Sequence, residues 1–126
     1  MSSPAEYRYS ATHEWHKVEG TTLTLGITRY AVDALTDVTY VQMKAIGTKI
    51  AAGSIVGEVE SVKTTSDIYC AAEGEVIEVN KAVADDPSKL NTDPYSNWLV
   101  KLKITGQGKL SELMDAAAYD KAHPTH

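Results

Sequence analysis

The chain has 126 residues, 43% of them hydrophobic, which is ample for one domain and short for two. Twelve Lys and Arg against seventeen Asp and Glu give a formal net charge of -5, so no basic stripe exists to neutralise phosphates and nucleic-acid binding is excluded as an expectation. A single cysteine, Cys70, rules out an internal disulfide framework and suits a reducing compartment.

In chain order, Met1-Ser2-Ser3-Pro4-Ala5-Glu6 lacks the charged start and apolar stretch of a secretory signal. No later run of about 18 apolar residues is long enough to cross a membrane. A cytoplasmic chain is expected, or one of the mitochondrial matrix if it is a processed eukaryotic protein. Residues 7–9 and 14–18 read as early strands. Gly20-Thr21 then turns into Thr22-Leu23-Thr24-Leu25-Gly26-Ile27, where Leu23, Leu25 and Ile27 share one face. Thr28 is placed to cap a helix running to about Leu35, with Ala31, Val32 and Leu35 on its apolar side. Residues 38–43 resume strand, and Gly47 and Gly53 mark turns. Residues 55–62 and 65–70 read as two strands that meet at Lys63, with Ile68 and Cys70 on one face and Asp67 and Tyr69 on the other. Val62-Lys63-Thr64 lacks the Asn-Gly or Asp-Gly pair of a tight hairpin, so the flanking patterns carry this reading.

Glu73-Gly74 is expected to turn, residues 75–79 to form a strand, and residues 82–97, broken by Asp86-Pro87 and Asp93-Pro94, to form an irregular loop with a turn of helix. Trp98, Val100, Leu102 and Ile104 fall on one face of the last strong strand. Leu110, Leu113 and Met114 begin a helical pattern, and Asp115 is placed to cap a helix over 116–122 that stops before Pro124. Many short strands at this spacing favour an antiparallel barrel or sandwich. Seven tyrosines, two tryptophans and no phenylalanine mean that most large core rings bring a polar group needing a partner.

Several motifs stand in one order: Ser10-Ala11-Thr12-His13-Glu14-Trp15, Leu25-Gly26-Ile27-Thr28, Glu60-Ser61-Val62-Lys63-Thr64-Thr65-Ser66-Asp67, Gly74-Glu75-Val76-Ile77-Glu78-Val79-Asn80, Asn91-Thr92-Asp93-Pro94-Tyr95 and Leu113-Met114-Asp115. Together they resemble the H-protein family of the glycine cleavage system from about residue 7 to residue 119. The resemblance implies a mainly β fold: a flattened antiparallel β-barrel or sandwich of the lipoyl-domain (barrel-sandwich hybrid) type, with short helices and a C-terminal helix. It implies one domain over residues 1–126, with ends that fray beyond the core. It also implies that Lys63 carries lipoic acid through an amide, on a hairpin recognised through Glu60, Val62 and Thr64. Only an amine makes this amide, and arginine would keep the charge and lose the chemistry.

In that family the protein is a carrier and not an enzyme. The lipoyl group takes an aminomethyl unit from glycine decarboxylase (the P protein), passes it to aminomethyltransferase (the T protein) and is reoxidised by dihydrolipoamide dehydrogenase (the L protein); lipoate-attaching enzymes are further partners. A monomer is expected, docking transiently with electrostatic help from its acidic surface. The resemblance assigns Thr12, Glu14 and Asp67 to a groove that holds the loaded arm, the two carboxylates attracting its ammonium.

Other residues carry blander expectations. His13, Glu14 and His16 superficially suggest a metal site, but alternation along a strand sends neighbours to opposite faces. His16 stands where the family usually has an apolar residue and is expected at the surface; His123 and His126 fall in an expected frayed tail. Cys70 reads as a small packing residue. Ser96-Asn97 and Met43-Lys44-Ala45 depart from the family pattern, which leaves the first loop's geometry open. Three rival readings remain: a biotin carrier, whose lysine would be flanked by methionines and not by Val62 and Thr64; an unmodified binding domain; and a lipoyl relay that donates lipoate to 2-oxoacid dehydrogenases.

Overall fold

The computed structural model describes residue 4 and residues 6–123. The frayed ends expected at residues 1–3 and 124–126, Pro124 and His126 among them, lie outside the described residues. Among the described residues nine strands form two antiparallel sheets. The larger runs β1-β2-β3-β9-β8-β5, from β1 (Arg8–Tyr9), β2 (Glu14–Glu19), β3 (Thr22–Ile27), β9 (Val100–Gly106), β8 (Glu73–Val79) and β5 (Lys49–Ile50). The smaller runs β4-β6-β7, from β4 (Val38–Met43), β6 (Ser54–Ser61) and β7 (Thr65–Cys70). The mainly β, two-sheet architecture expected from the sequence is the one observed.

Alternation explains most of the core. Leu23, Leu25 and Ile27 of β3, with Val100 and Leu102 of β9, join Val59 of β6 and Ile68 and Cys70 of β7 in one buried cluster. Each such side chain contributes on the order of 1.5–3 kcal/mol on burial, before entropy is subtracted. The other face of β3 is covered as well, because Trp15 lies flat over Gly26: a Cβ there would come within 2.5 Å of the indole. Trp15, Tyr9 and Tyr119 are the buried members of a second, aromatic cluster that also takes in Tyr7, Tyr95 and Trp98. Its polar groups find partners, Trp15 Nε1 donating to the Pro94 carbonyl at 3.0 Å and the Tyr9 hydroxyl to that of Pro4 at 2.5 Å.

Local signals placed the helix starts. Thr28 caps α1 (Arg29–Leu35), its Oγ1 accepting from the Ala31 amide, and Asp115 caps α4 (Ala116–Ala122), its Oδ1 accepting from the Ala118 amide at 2.8 Å. Four expectations are corrected. Glu73-Gly74 opens β8 and does not turn; the bend is Ala71-Ala72. Residues 82–97 hold two short helices, α2 (Lys81–Asp85) and α3 (Lys89–Thr92), and their following loop is closed by the Asp93 carboxylate, which accepts from the Tyr95 and Ser96 amides and the Ser96 hydroxyl. Trp98 precedes β9 and joins the aromatic cluster, with Lys101 Nζ 4.9 Å from its ring centroid, so Leu99 takes the core position. Leu110–Glu112 is a 3-10 turn, after which Met114 bridges to Tyr9.

His16 is not at the surface. It is 1% exposed, its Nε2 accepts from the Ala71 amide at 3.2 Å, and its Nδ1 has no hydrogen-bond partner among the described residues. Glu14, Trp15 and His16 are all buried, because the aromatic cluster covers one face of β2 and the end of β7 covers the other. Burial lowers the His16 pKa from 6.5 to about 4. The unfolded chain therefore binds the proton first, and stability present above pH 6.5 is lost as pH falls toward 4. Between pH 7 and pH 4.5 the expected loss from His16 is about 2 kcal/mol, since a tenfold change in proton affinity corresponds to ~1.4 kcal/mol. Urea unfolding at pH 7 and pH 4.5 should show this loss in the native chain and most of it removed in His16→Leu. Comparing two pH values within each variant cancels any constant cost of the substitution, and an undiminished loss in His16→Leu would refute the assignment.

Candidate functional site

β6 and β7 pair with Glu60 opposite Thr65 and Glu58 opposite Asp67, leaving Ser61-Val62-Lys63-Thr64 as the turn. Ser61 substitutes for the missing Asn-Gly chemistry. Its amide donates to the Thr64 carbonyl at 2.8 Å, and its hydroxyl oxygen accepts from the Lys63 and Thr64 amides, each at 3.2 Å. The turn is anchored from outside as well, through the Val62 amide to the Asp37 carbonyl at 3.1 Å and the pairing of Ser61 with Val38. Lys63 is exposed, and its ammonium makes no ion pair or hydrogen bond among the described residues. Of its neighbours, Val62 is 68% exposed, Thr64 is exposed, and Glu60 is half-buried with Oε1 accepting from the Thr65 hydroxyl at 3.3 Å.

A hollow of about 280 Å³ begins beside this turn. Thr64, Thr65 and Asp67 line it from the hairpin, Leu35 from α1, Thr12 from the loop before β2 and Glu14 from the first position of β2. The sequence-derived groove residues Thr12, Glu14 and Asp67 thus share one cavity, which β7 walls from Thr65 to Ile68, about 10 Å at the rise of an extended strand. A wider hollow of about 410 Å³ on the outer face of the small sheet shares only Asp67 with it. A third, about 370 Å³, meets it at Thr12 and Glu14 and extends past Cys70 to Lys109 and Glu112.

Glu14 is 1% exposed and accepts hydrogen bonds at both carboxylate oxygens. Its Oε1 accepts from the hydroxyls of Ser10, at 2.5 Å, and of Thr12, while Oε2 accepts from the Tyr69 amide of β7 at 3.3 Å. Burial raises its pKa, and the three donors pull it back down. The loop owes its shape to His13, which sits at φ +74°, and to Ser10, whose amide donates to the Glu14 carbonyl at 3.0 Å. His13 also lines the hollow and ties it to α4: its Nδ1 is 2.7 Å from the Tyr119 hydroxyl, which is 2.8 Å from Thr28 Oγ1. Its ring stacks on Tyr30 and meets His123 edge-on at 4.6 Å, and burial followed by His123 lowers its pKa. His123 is therefore packed against the fold.

The family model described as "Glycine cleavage H-protein" matches residues 7–126. This chain belongs to that family. It is 47% identical over 113 residues to "Glycine cleavage system H protein 1" of Caldanaerobacter subterraneus subsp. tengcongensis, covering 90% of each chain. It is 45% identical over 123 residues to the glycine cleavage system H protein of Paraburkholderia xenovorans, covering 97% of this chain and 98% of that one. The crystal structure of a glycine cleavage system H protein from Mycobacterium marinum superposes with a TM-score of 0.89 at 38% identity, covering 98% of this chain and all of that one.

Among the described residues no group of three or more His, Cys, Asp and Glu is placed to hold a metal ion, and no helix is long and apolar enough to cross a membrane. The sequence reading passed over Ser10, the Tyr69 amide and His13 as parts of this site. The available signal was hydroxyls two and four residues before a glutamate, next to a residue in the left-handed region. Cys70 is fully buried beside the cavity wall, and burial pushes its thiol up to about 11. At pH 8 only about one thiol in a thousand is then ionised. A disulfide reagent at pH 8 should leave the native chain unmodified for hours and label it fully in urea; fast labelling of the folded chain would contradict the burial.

Proposed function

We propose that this chain is the lipoyl carrier of a glycine cleavage system and that Lys63 bears lipoic acid through an amide on Nζ. One observation carries the reading: an unpartnered, exposed lysine stands on a turn braced from two sides, and a cavity leads from it to a buried carboxylate. The fit to the absent group is physical. A rigid turn offers an attaching enzyme a fixed shape in which Glu60, Val62 and Thr64 flank the target, and a long arm needs a channel that starts where it is rooted. When bound, lipoic acid supplies a dithiolane that accepts and releases the aminomethyl group.

The chain's own residues bind and shield. A carboxylate that holds the cargo amine in its protonated form leaves it no electron pair with which to expel the adjoining sulfur. Poor water access strengthens that hold. In this reading catalysis belongs to the partners, which are glycine decarboxylase, aminomethyltransferase and dihydrolipoamide dehydrogenase, with lipoate-attaching enzymes acting before them. Contact with each should be brief, as a shuttle requires.

Intact-mass analysis of the chain made in a lipoate-supplied host should show one lipoyl adduct, absent from both Lys63→Ala and Lys63→Arg. The adducted chain, mixed with the three partner enzymes, should support glycine-dependent release of carbon dioxide. A biotin adduct, or none, would overturn the assignment of Lys63. A lipoylated chain that supports no release would overturn the glycine role and leave a relay function.

A further inference from the structure

Among the described residues Ser10 is the one side chain that grips Glu14 at both ends. Its Oγ donates to Glu14 Oε1 at 2.5 Å and accepts from the Glu14 amide at 3.0 Å, while its own amide donates to the Glu14 carbonyl at 3.0 Å. The directions follow from the inventory of hydrogens. An amide can only donate, so the serine oxygen accepts there and its single proton is left for the carboxylate. Thr12 also donates to Oε1 but is exposed, and it touches Ser10 Oγ only at 3.3 Å. Oε1 is thereby saturated by two hydroxyls. Oε2 receives one long amide contact, 3.3 Å from Tyr69, and keeps an unused acceptor position.

We propose that Ser10 is a positioning residue that turns Glu14 so that its Oε2 edge receives the ammonium of the loaded arm. This rests on the carrier reading above. The same contact sustains the charge the role needs: burial raises the Glu14 pKa, and the Ser10 hydroxyl is the foremost of the donors that oppose it. The titratable and charged groups around Glu14 are His13 in the preceding loop, His16 two residues along β2, Asp67 and Cys70 on β7, Tyr119 on α4 and, across the adjoining hollow, Lys109 and Glu112. Among the described residues only Ser10, Thr12 and the Tyr69 amide donate to its carboxylate. Loss of the Ser10 hydroxyl leaves Oε1 with one donor and frees the carboxylate to rotate.

The first test needs no lipoyl group. Carboxyl-carbon NMR titration of the unmodified chain should show the Glu14 midpoint raised in Ser10→Ala and restored in Ser10→Thr, with the fold intact by circular dichroism. In the second, Ser10→Ala should still accept the lipoyl adduct on Lys63, yet lose the aminomethyl group several-fold faster at pH 7, and Ser10→Thr should retain it at the native rate. An unmoved Glu14 midpoint, or a native loss rate in Ser10→Ala, overturns the role of Ser10. Absence of the adduct in the native chain would instead strike at the carrier reading, and the titration would still decide whether Ser10 controls Glu14. Should Ser10→Ala fail to fold, Ser10→Cys serves, its thiol being a weak donor.

Discussion

A carboxylate withdrawn from water is the constraint around which this site is built. Glu14 is 1% exposed, and an unpaired charge at such a position would cost several kcal/mol. The chain meets that cost with two hydroxyls from one tight loop and an amide from a strand 55 residues away. The arrangement fixes much else. The loop needs His13 in the left-handed region, β2 must lie against the end of β7, and Ala71 must bend so that its amide reaches His16. The raised Glu14 pKa also sets a sign. The folded chain binds that proton more tightly than the unfolded chain, so ionised Glu14 subtracts from stability at neutral pH. A structural residue would be poorly chosen at this position, whereas a residue awaiting a cation is well chosen.

The two ends of the cavity contrast usefully. At the hairpin, Lys63 is free and exposed on a turn held by Ser61 and by the Asp37 carbonyl. At the other end the Glu14 carboxylate is held by Ser10, Thr12 and the Tyr69 amide. In the proposed carrier reading mobility is confined to the arm and rigidity to the frame, which is what delivery between separate active sites would require. The C-terminal helix contributes to the frame through the Tyr119 hydroxyl, which joins His13 to Thr28 and so couples the loop before β2 to the cap of α1.

Local chemistry was legible in the sequence. Thr28 and Asp115 announced helix starts because a cap is written within four residues, and β3 announced itself by strict alternation. Lys63 was placed at a turn by its flanking strands and given meaning by the motifs around it. What escaped depended on distant partners. His16 reads as exposed until β7 is seen to cover it, and Trp98 reads as core until Tyr7 and Trp15 offer it an aromatic layer. Ser10 reads as part of a motif, since nothing within its neighbourhood reveals that Glu14 is buried.

Retention of the loaded arm in the cavity is the claim on which the rest turns, and amide NMR shifts test it most directly. Spectra of the lipoylated chain recorded with and without the aminomethyl cargo should differ at Thr12, Glu14, Asp67 and Tyr69. Changes confined to residues 61–65 would show an arm that stays in solvent and would contradict it.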